Sequence, residues 1–115
     1  MQAQEPLIIL IAEDSAADRL LLSAIVRRQG HEVLTAANGS EAVDIFRRQQ
    51  PSLVLMDAMM PVMDGFEAAR QIKALAGETL VPIIFLTSLT ESEALARCLE
   101  AGGDDFLAKP YNQVI

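Results

Sequence analysis

Three stretches of the chain are apolar at nearly every position and have the length of a strand: LIILIA at residues 7–12, SLVLMD at 52–57 and VPIIFLT at 81–87. Runs that are apolar on both faces suit a parallel sheet covered by helices on each side, where alternation is lost because neither face meets water. Two weaker segments, EVLTA at 32–36 and DFLA at 105–108, bring the predicted strands to five.

Between the strands the apolar positions take helical spacing. Ala42 with Phe46, and Leu95 with Leu99, stand at i and i+4, the spacing of a core-facing stripe. Ser15 with Asp18, Asp64 with Glu67 and Thr90 with Glu93 resemble capping boxes, in which side chains three residues apart satisfy the orphan N–H groups of a helix start. Gly30, Pro51, Gly77 and Gly102-Gly103 supply stops. The predicted helices run from about Ala16 to Gln29, from Ser40 or Glu41 to Gln49, from about Phe66 to Ala76 and from Glu91 to Ala101. Strict alternation of strand and helix implies a five-stranded parallel sheet with right-handed crossovers and helices on both faces. After Pro110 only YNQVI remains, enough to begin a fifth helix and not to finish one. A truncated or absent fifth helix, and continuation into a longer protein, are therefore expected.

One strand ends where an apolar strand should not. LVLM at 53–56 runs directly into Asp57, and an ionised carboxylate is costly to desolvate unless a cation meets it. In open α/β sheets ligands bind beyond the carboxyl ends of the strands. The residues delivered there are Glu13 and Asp14 after strand one, Asp57 on strand three, Thr87 on strand four, and Lys109 with Pro110 after strand five. Taken singly, the acidic residues read as turn or capping groups and Lys109 as a surface charge. Together, three carboxylates in one crevice repel one another and call for a cation, and an all-oxygen donor set suits Mg²⁺. A carboxylate flanked by Mg²⁺ and an ammonium is placed to attack phosphorus, because phosphoryl transfer is mostly positioning and charge neutralisation.

Composition narrows the alternatives. At 115 residues, 51% hydrophobic and 22% charged, the chain has the makings of one globular domain. A net charge of −7 argues against direct nucleic acid binding and against attraction to anionic membranes. The Arg27-Arg28 and Arg47-Arg48 pairs fall near helix ends, where cations suit the macrodipole. No apolar run approaches the roughly 20 residues of a membrane span, and no secretory leader pattern opens the sequence, so a cytoplasmic location is expected. The single Cys98 reads as a small core residue and the single His31 as a surface turn residue.

The motifs IAED, LMDAMMPVMDG, FLTS and DDFLAKP, in this order and spacing, resemble those of the receiver domain of two-component response regulators, the CheY-like family. The resemblance spans residues 7 to about 111. It implies a flavodoxin-like doubly wound sheet of strand order 2-1-3-4-5, with a tail at 1–6 and the receiver domain at 7–115 forming the N-terminal part of a longer regulator. It implies that Asp57 is the phosphoacceptor and that Glu13, Asp14, Asp57 and the backbone carbonyl of Met59 hold Mg²⁺. Thr87 and Lys109 are similar to the groups that stabilise the phosphoryl moiety, Phe106 to the aromatic that swings inward, and Pro110 to a proline following a cis peptide bond. The implied function is that of a phosphorelay receiver rather than a dedicated enzyme. It takes a phosphoryl group from a sensor histidine kinase or phosphotransfer protein and switches the surface of helix four and strand five for an output domain or effector. Pairing of two copies near strand five stays open, weakened where the fifth helix is missing. Phe106 also has a plain core reading. Met59 and Leu89, two residues beyond Asp57 and Thr87, are apolar and offer nothing to orient an attacking water, so slow autodephosphorylation is expected.

Three other readings are weaker. A haloacid-dehalogenase-like phosphatase needs a second Asp where Met59 stands. A flavodoxin-like cofactor site needs Ser, Thr and Gly where AEDSAAD is acidic. A degenerate receiver used only for protein contacts would not need all its site positions filled.

Overall fold

In the computed structural model, which describes residues 5–87 and 91–108, the chain runs β1 (Ile8–Ala12), α1 (Ala16–Arg28), β2 (Glu32–Ala36), α2 (Gly39–Gln49), β3 (Leu53–Asp57), α3 (Gly65–Ala76), β4 (Ile83–Thr87), α4 (Glu91–Glu100) and β5 (Asp105–Ala108). The strands form one parallel sheet in the order β2-β1-β3-β4-β5. Register places Leu10 beside Leu34 on one side and Val54 on the other, and Asp57 beside Leu86.

Side-chain alternation sorts the apolar strands into two cores. Leu10, Ala12, Val54, Met56, Ile83 and Phe85 face Phe46 of α2, Ile72 of α3 and Cys98 of α4 in the larger cluster. Ile9, Ile11, Leu55 and Leu86 face Leu22 and Val26 of α1 in the smaller. Phe106, level with Phe85 in the register, is half-buried against the larger cluster. Phe66 and Phe85 meet with ring centroids 5.0 Å apart, and the Arg97 guanidinium stacks 4.3 Å from the Phe66 centroid, joining α4 to α3.

Element order and type follow the sequence reading, and the boundaries differ for local reasons. α2 begins at Gly39 rather than at Ser40 or Glu41, because Asn38 is its cap. The Asn38 Oδ1 accepts the Glu41 N–H at 2.9 Å, and Glu41 returns a carboxylate oxygen to the Ala37 N–H at 2.9 Å. α1 ends at Arg28 and α4 at Glu100, each one residue early, while α3 starts one residue early at Gly65. β4 starts after Pro82, which has no N–H to give a ladder. Ser15 and Asp64 cap as expected, accepting the Asp18 N–H at 3.3 Å and the Glu67 N–H at 2.9 Å.

The stripe on α4 is a correction. Leu99 is 63% exposed, and Cys98 with Ala101 faces the core instead. Burial pushes the Cys98 thiol up. His31 stands at the turn into β2, where its Nδ1 accepts the Leu7 N–H at 3.0 Å. The Thr90 cap, Leu89, Lys109, Pro110 and the YNQVI segment lie outside the described residues, as do the side chains of Glu93 and Leu95.

Candidate metal and phosphoryl site

Parallel strands bring their carboxyl ends to one edge, and that edge collects the acidic residues. Glu13 follows directly on β1 and still donates its N–H to Ala36 at 3.0 Å, so its position is set by the sheet. Its carboxylate accepts the Ser15 N–H at 3.1 Å, and its carbonyl accepts the Arg19 guanidinium at 2.7 Å. Asp57 closes β3, and Ala58 continues the ladder through an N–H bond to Leu86 at 2.9 Å. Thr87 closes β4 on the adjacent strand.

Carboxylate oxygens of Glu13, Asp14 and Asp57 all lie within 4.8 Å of one another. Glu13 and Asp57 are buried and Asp14 is exposed, so the cluster has a solid floor and an open side. Like charges this close repel one another, and a cation between them relieves the repulsion. Hard oxygen donors with room for water on one side fit Mg²⁺, which keeps part of its hydration shell. The donor set therefore suits the ion anticipated from the sequence.

The loop after β3 is held by backbone. One Asp57 carboxylate oxygen accepts the Met59 N–H at 3.3 Å, and the Gly65 N–H bonds to Ala58 at 2.9 Å. A Cβ on Gly65 would collide with the Asp57 carbonyl oxygen, so α3 packs against the Asp57 backbone only because this residue is glycine. Met59 is 53% exposed beside Asp57. Buried Thr87 joins the acidic trio at this edge, and Phe106 lies on the larger core below it.

Two contributors were not anticipated from the sequence. The Ser15 N–H on Glu13 follows from the tight turn into α1, and SA after ED hints at such a turn. The reach of Arg19 back to the Glu13 carbonyl crosses six residues, and spacing alone carries no signal for it.

Comparison with known proteins agrees with this geometry. Residues 9–114 match the profile of the response regulator receiver domain. The probable transcriptional regulator ycf27 of Porphyra purpurea is 42% identical over 104 residues, covering 90% of this chain and 42% of the relative. The chain thus spans under half the length of that relative. Protein PilH of Pseudomonas aeruginosa is 35% identical over 105 residues, covering 91% of this chain and 87% of PilH. Among solved structures, the receiver domain of the Pseudomonas aeruginosa sensor histidine kinase PA1611, which has a magnesium ion in its active-site cleft, superposes with a TM-score of 0.84. It is 37% identical, with 94% of this chain and 88% of that one covered. With its acidic trio at the carboxyl edge of a 2-1-3-4-5 sheet and the family match running over residues 9–114, the chain belongs to the response regulator receiver domain family.

Proposed function

We propose that this domain accepts a phosphoryl group on Asp57 from a phosphohistidine of a sensor kinase or phosphotransfer protein. The observation that carries the reading is the convergence of the Glu13, Asp14 and Asp57 carboxylates within 4.8 Å at the edge where Thr87 also ends its strand. An Asp57 carboxylate oxygen attacks phosphorus, the P–N bond to the donor imidazole breaks, and the imidazole leaves with the bonding pair, generating an acyl phosphate. Glu13, Asp14, Asp57 and the Met59 carbonyl would hold Mg²⁺, which when bound neutralises charge on the transferring group.

Asp57 is oriented for attack by the Met59 N–H on one carboxylate oxygen. Buried Thr87 supplies a hydroxyl to a phosphoryl oxygen, and Lys109 supplies an ammonium. Thr87 moving toward the new charge frees space for Phe106. The output is a population shift of the surface built by α4 and β5, read by an output domain or a separate effector. The regulatory name of ycf27 supports the first arrangement, and the near-complete coverage of PilH supports the second. Residues 7–115 act as the receiver unit, in the cytoplasm.

The test is incubation with acetyl phosphate and Mg²⁺, followed by intact mass and base lability. One base-labile phosphoryl group on the wild type and none on Asp57→Asn or with excess chelator is expected. A wild type that takes up no phosphoryl group, and does not respond to beryllofluoride, sinks the reading in favour of a contact-only receiver.

A further inference from the structure

We propose that Arg19 is a positioning residue for the acidic trio and sets the domain's affinity for Mg²⁺, an inference that rests on the metal-site reading above. Its Nη1 donates to the Glu13 carbonyl at 2.7 Å, a short bond across six residues. That carbonyl belongs to the planar peptide unit joining Glu13 to Asp14. Holding its oxygen restrains ψ of Glu13 and φ of Asp14, the two rotations that set where the Asp14 carboxylate lies relative to that of Glu13. The rest of the turn is anchored at its ends. The Glu13 N–H is in the sheet, the Ser15 carbonyl accepts the Arg19 N–H at 2.9 Å, and Ser15 Oγ caps α1. Arg19 thus holds the turn twice, by backbone at Ser15 and by side chain at the peptide between the two acids.

Charge alone predicts the opposite outcome. A guanidinium beside a dication site repels the ion, so deleting it should tighten binding. Positioning predicts weaker binding, because three oxygens already within 4.8 Å lose their common aim when the peptide can rotate. The sign of the change separates the two.

The experiment titrates Mg²⁺ alone into the wild type, Arg19→Met, Arg19→Gln and Arg27→Met, reading heat and the amide shift of Ser15, with thermal melts in chelator alongside. Arg27 is exposed two turns along the same helix and removes the same charge. Expected results are an Mg²⁺ dissociation constant about tenfold weaker in Arg19→Met, partly recovered in Arg19→Gln, which keeps an N–H donor. Arg27→Met should stay within about twofold of wild type, as a distant screened charge does. If Arg19→Met unfolds in chelator, Arg19→Gln carries the comparison. Unchanged or tighter binding in a folded Arg19 variant, with the wild type binding Mg²⁺, overturns the positioning role alone. A wild type that binds no Mg²⁺ overturns the metal site and this role together.

Discussion

Lys73 and Asp104 meet across the end of the larger core, with the Lys73 ammonium 3.0 Å from a carboxylate oxygen of Asp104 and 2.8 Å from the Val81 carbonyl. The same oxygen accepts the Ile83 N–H at 2.8 Å, where β4 begins. One carboxylate therefore ties α3, the start of β4 and the entry to β5 together. An exposed ion pair alone is worth little, and here the backbone bond to Ile83 adds most of the value. Asp104→Ala is expected to lower unfolding free energy by about 1–2 kcal/mol, read from urea melts, with Lys73→Met costing less because Ile83 keeps its partner.

The same group should mark the acid limb of stability. Burial by itself would raise the Asp104 carboxyl, but the Ile83 N–H and the hydrogen bond and charge of Lys73 outweigh it and hold it below the usual value of 3.8. A carboxyl lowered by folding contributes stability above its unfolded pKa and loses it as pH falls through the folded one. The stability gap between wild type and Asp104→Asn should thus be constant from neutral pH to about pH 5 and shrink as pH falls below about 4 and through the folded pKa, until both chains carry a neutral side chain. A gap that does not change across that range would show that charge plays no part in the clasp.

Much of this was legible beforehand, and the limits are physical. The succession of strands and helices among the described residues and the convergence of Glu13, Asp14, Asp57 and Thr87 follow from patterns one element long (apolar runs, caps and strand ends), whereas the strand order comes only with the family resemblance. What escaped depends on contacts between elements. Leu99 and Cys98 are adjacent and both apolar, so periodicity cannot say which one turns inward; packing on Phe85 and its neighbours decides for Cys98. Asn38 was readable as a cap, since Glu41 stands three residues on, but Ser40 and Glu41 drew the start later. Gly65 gave no sign that its missing side chain makes room for the Asp57 carbonyl.

That contact makes Gly65 a sensitive position. Its φ is ordinary, so alanine brings no dihedral penalty, yet the added methyl meets backbone at Asp57 that has little room to yield. Gly65→Ala is expected to cost about 1–3 kcal/mol of stability and to shift the amide signals of Asp57 and Met59, because α3 must back away from the end of β3. Wild-type stability with unmoved signals would mean that the loop absorbs the methyl without disturbing Asp57.

Val62 offers the reverse opportunity. It sits at φ 69, spanned by a Met63 N–H to Pro61 bond at 2.7 Å, and it is 83% exposed. A β-branched residue is strained in the left-handed region and gains no burial here in return. Val62→Gly relieves the strain while adding freedom to the unfolded chain, so a net gain of about 0.5–1 kcal/mol is expected, visible as a higher Tm. A lower Tm would mean that the turn is not strained by valine.

The proposed phosphorylation of Asp57 carries a prediction about the lifetime of the phosphorylated state. Hydrolysis of an acyl phosphate needs a water in line with the P–O bond opposite Asp57, and a polar side chain at the rim can hold and polarise it. Met59, half-exposed and two residues beyond Asp57, brings a thioether to that rim, and Leu89 is the corresponding apolar residue after Thr87. Neither can orient water, so the acyl phosphate of the wild type should decay slowly, and switching off should fall to a phosphatase or to reverse transfer. Met59→Asn combined with Leu89→Glu supplies an amide and a carboxylate at the two positions and should speed spontaneous dephosphorylation by at least about tenfold. The measurement is the decay of base-labile phosphate after removal of acetyl phosphate, with Mg²⁺ held constant. A double variant that decays at the wild-type rate or more slowly would place control of the lifetime elsewhere in the site.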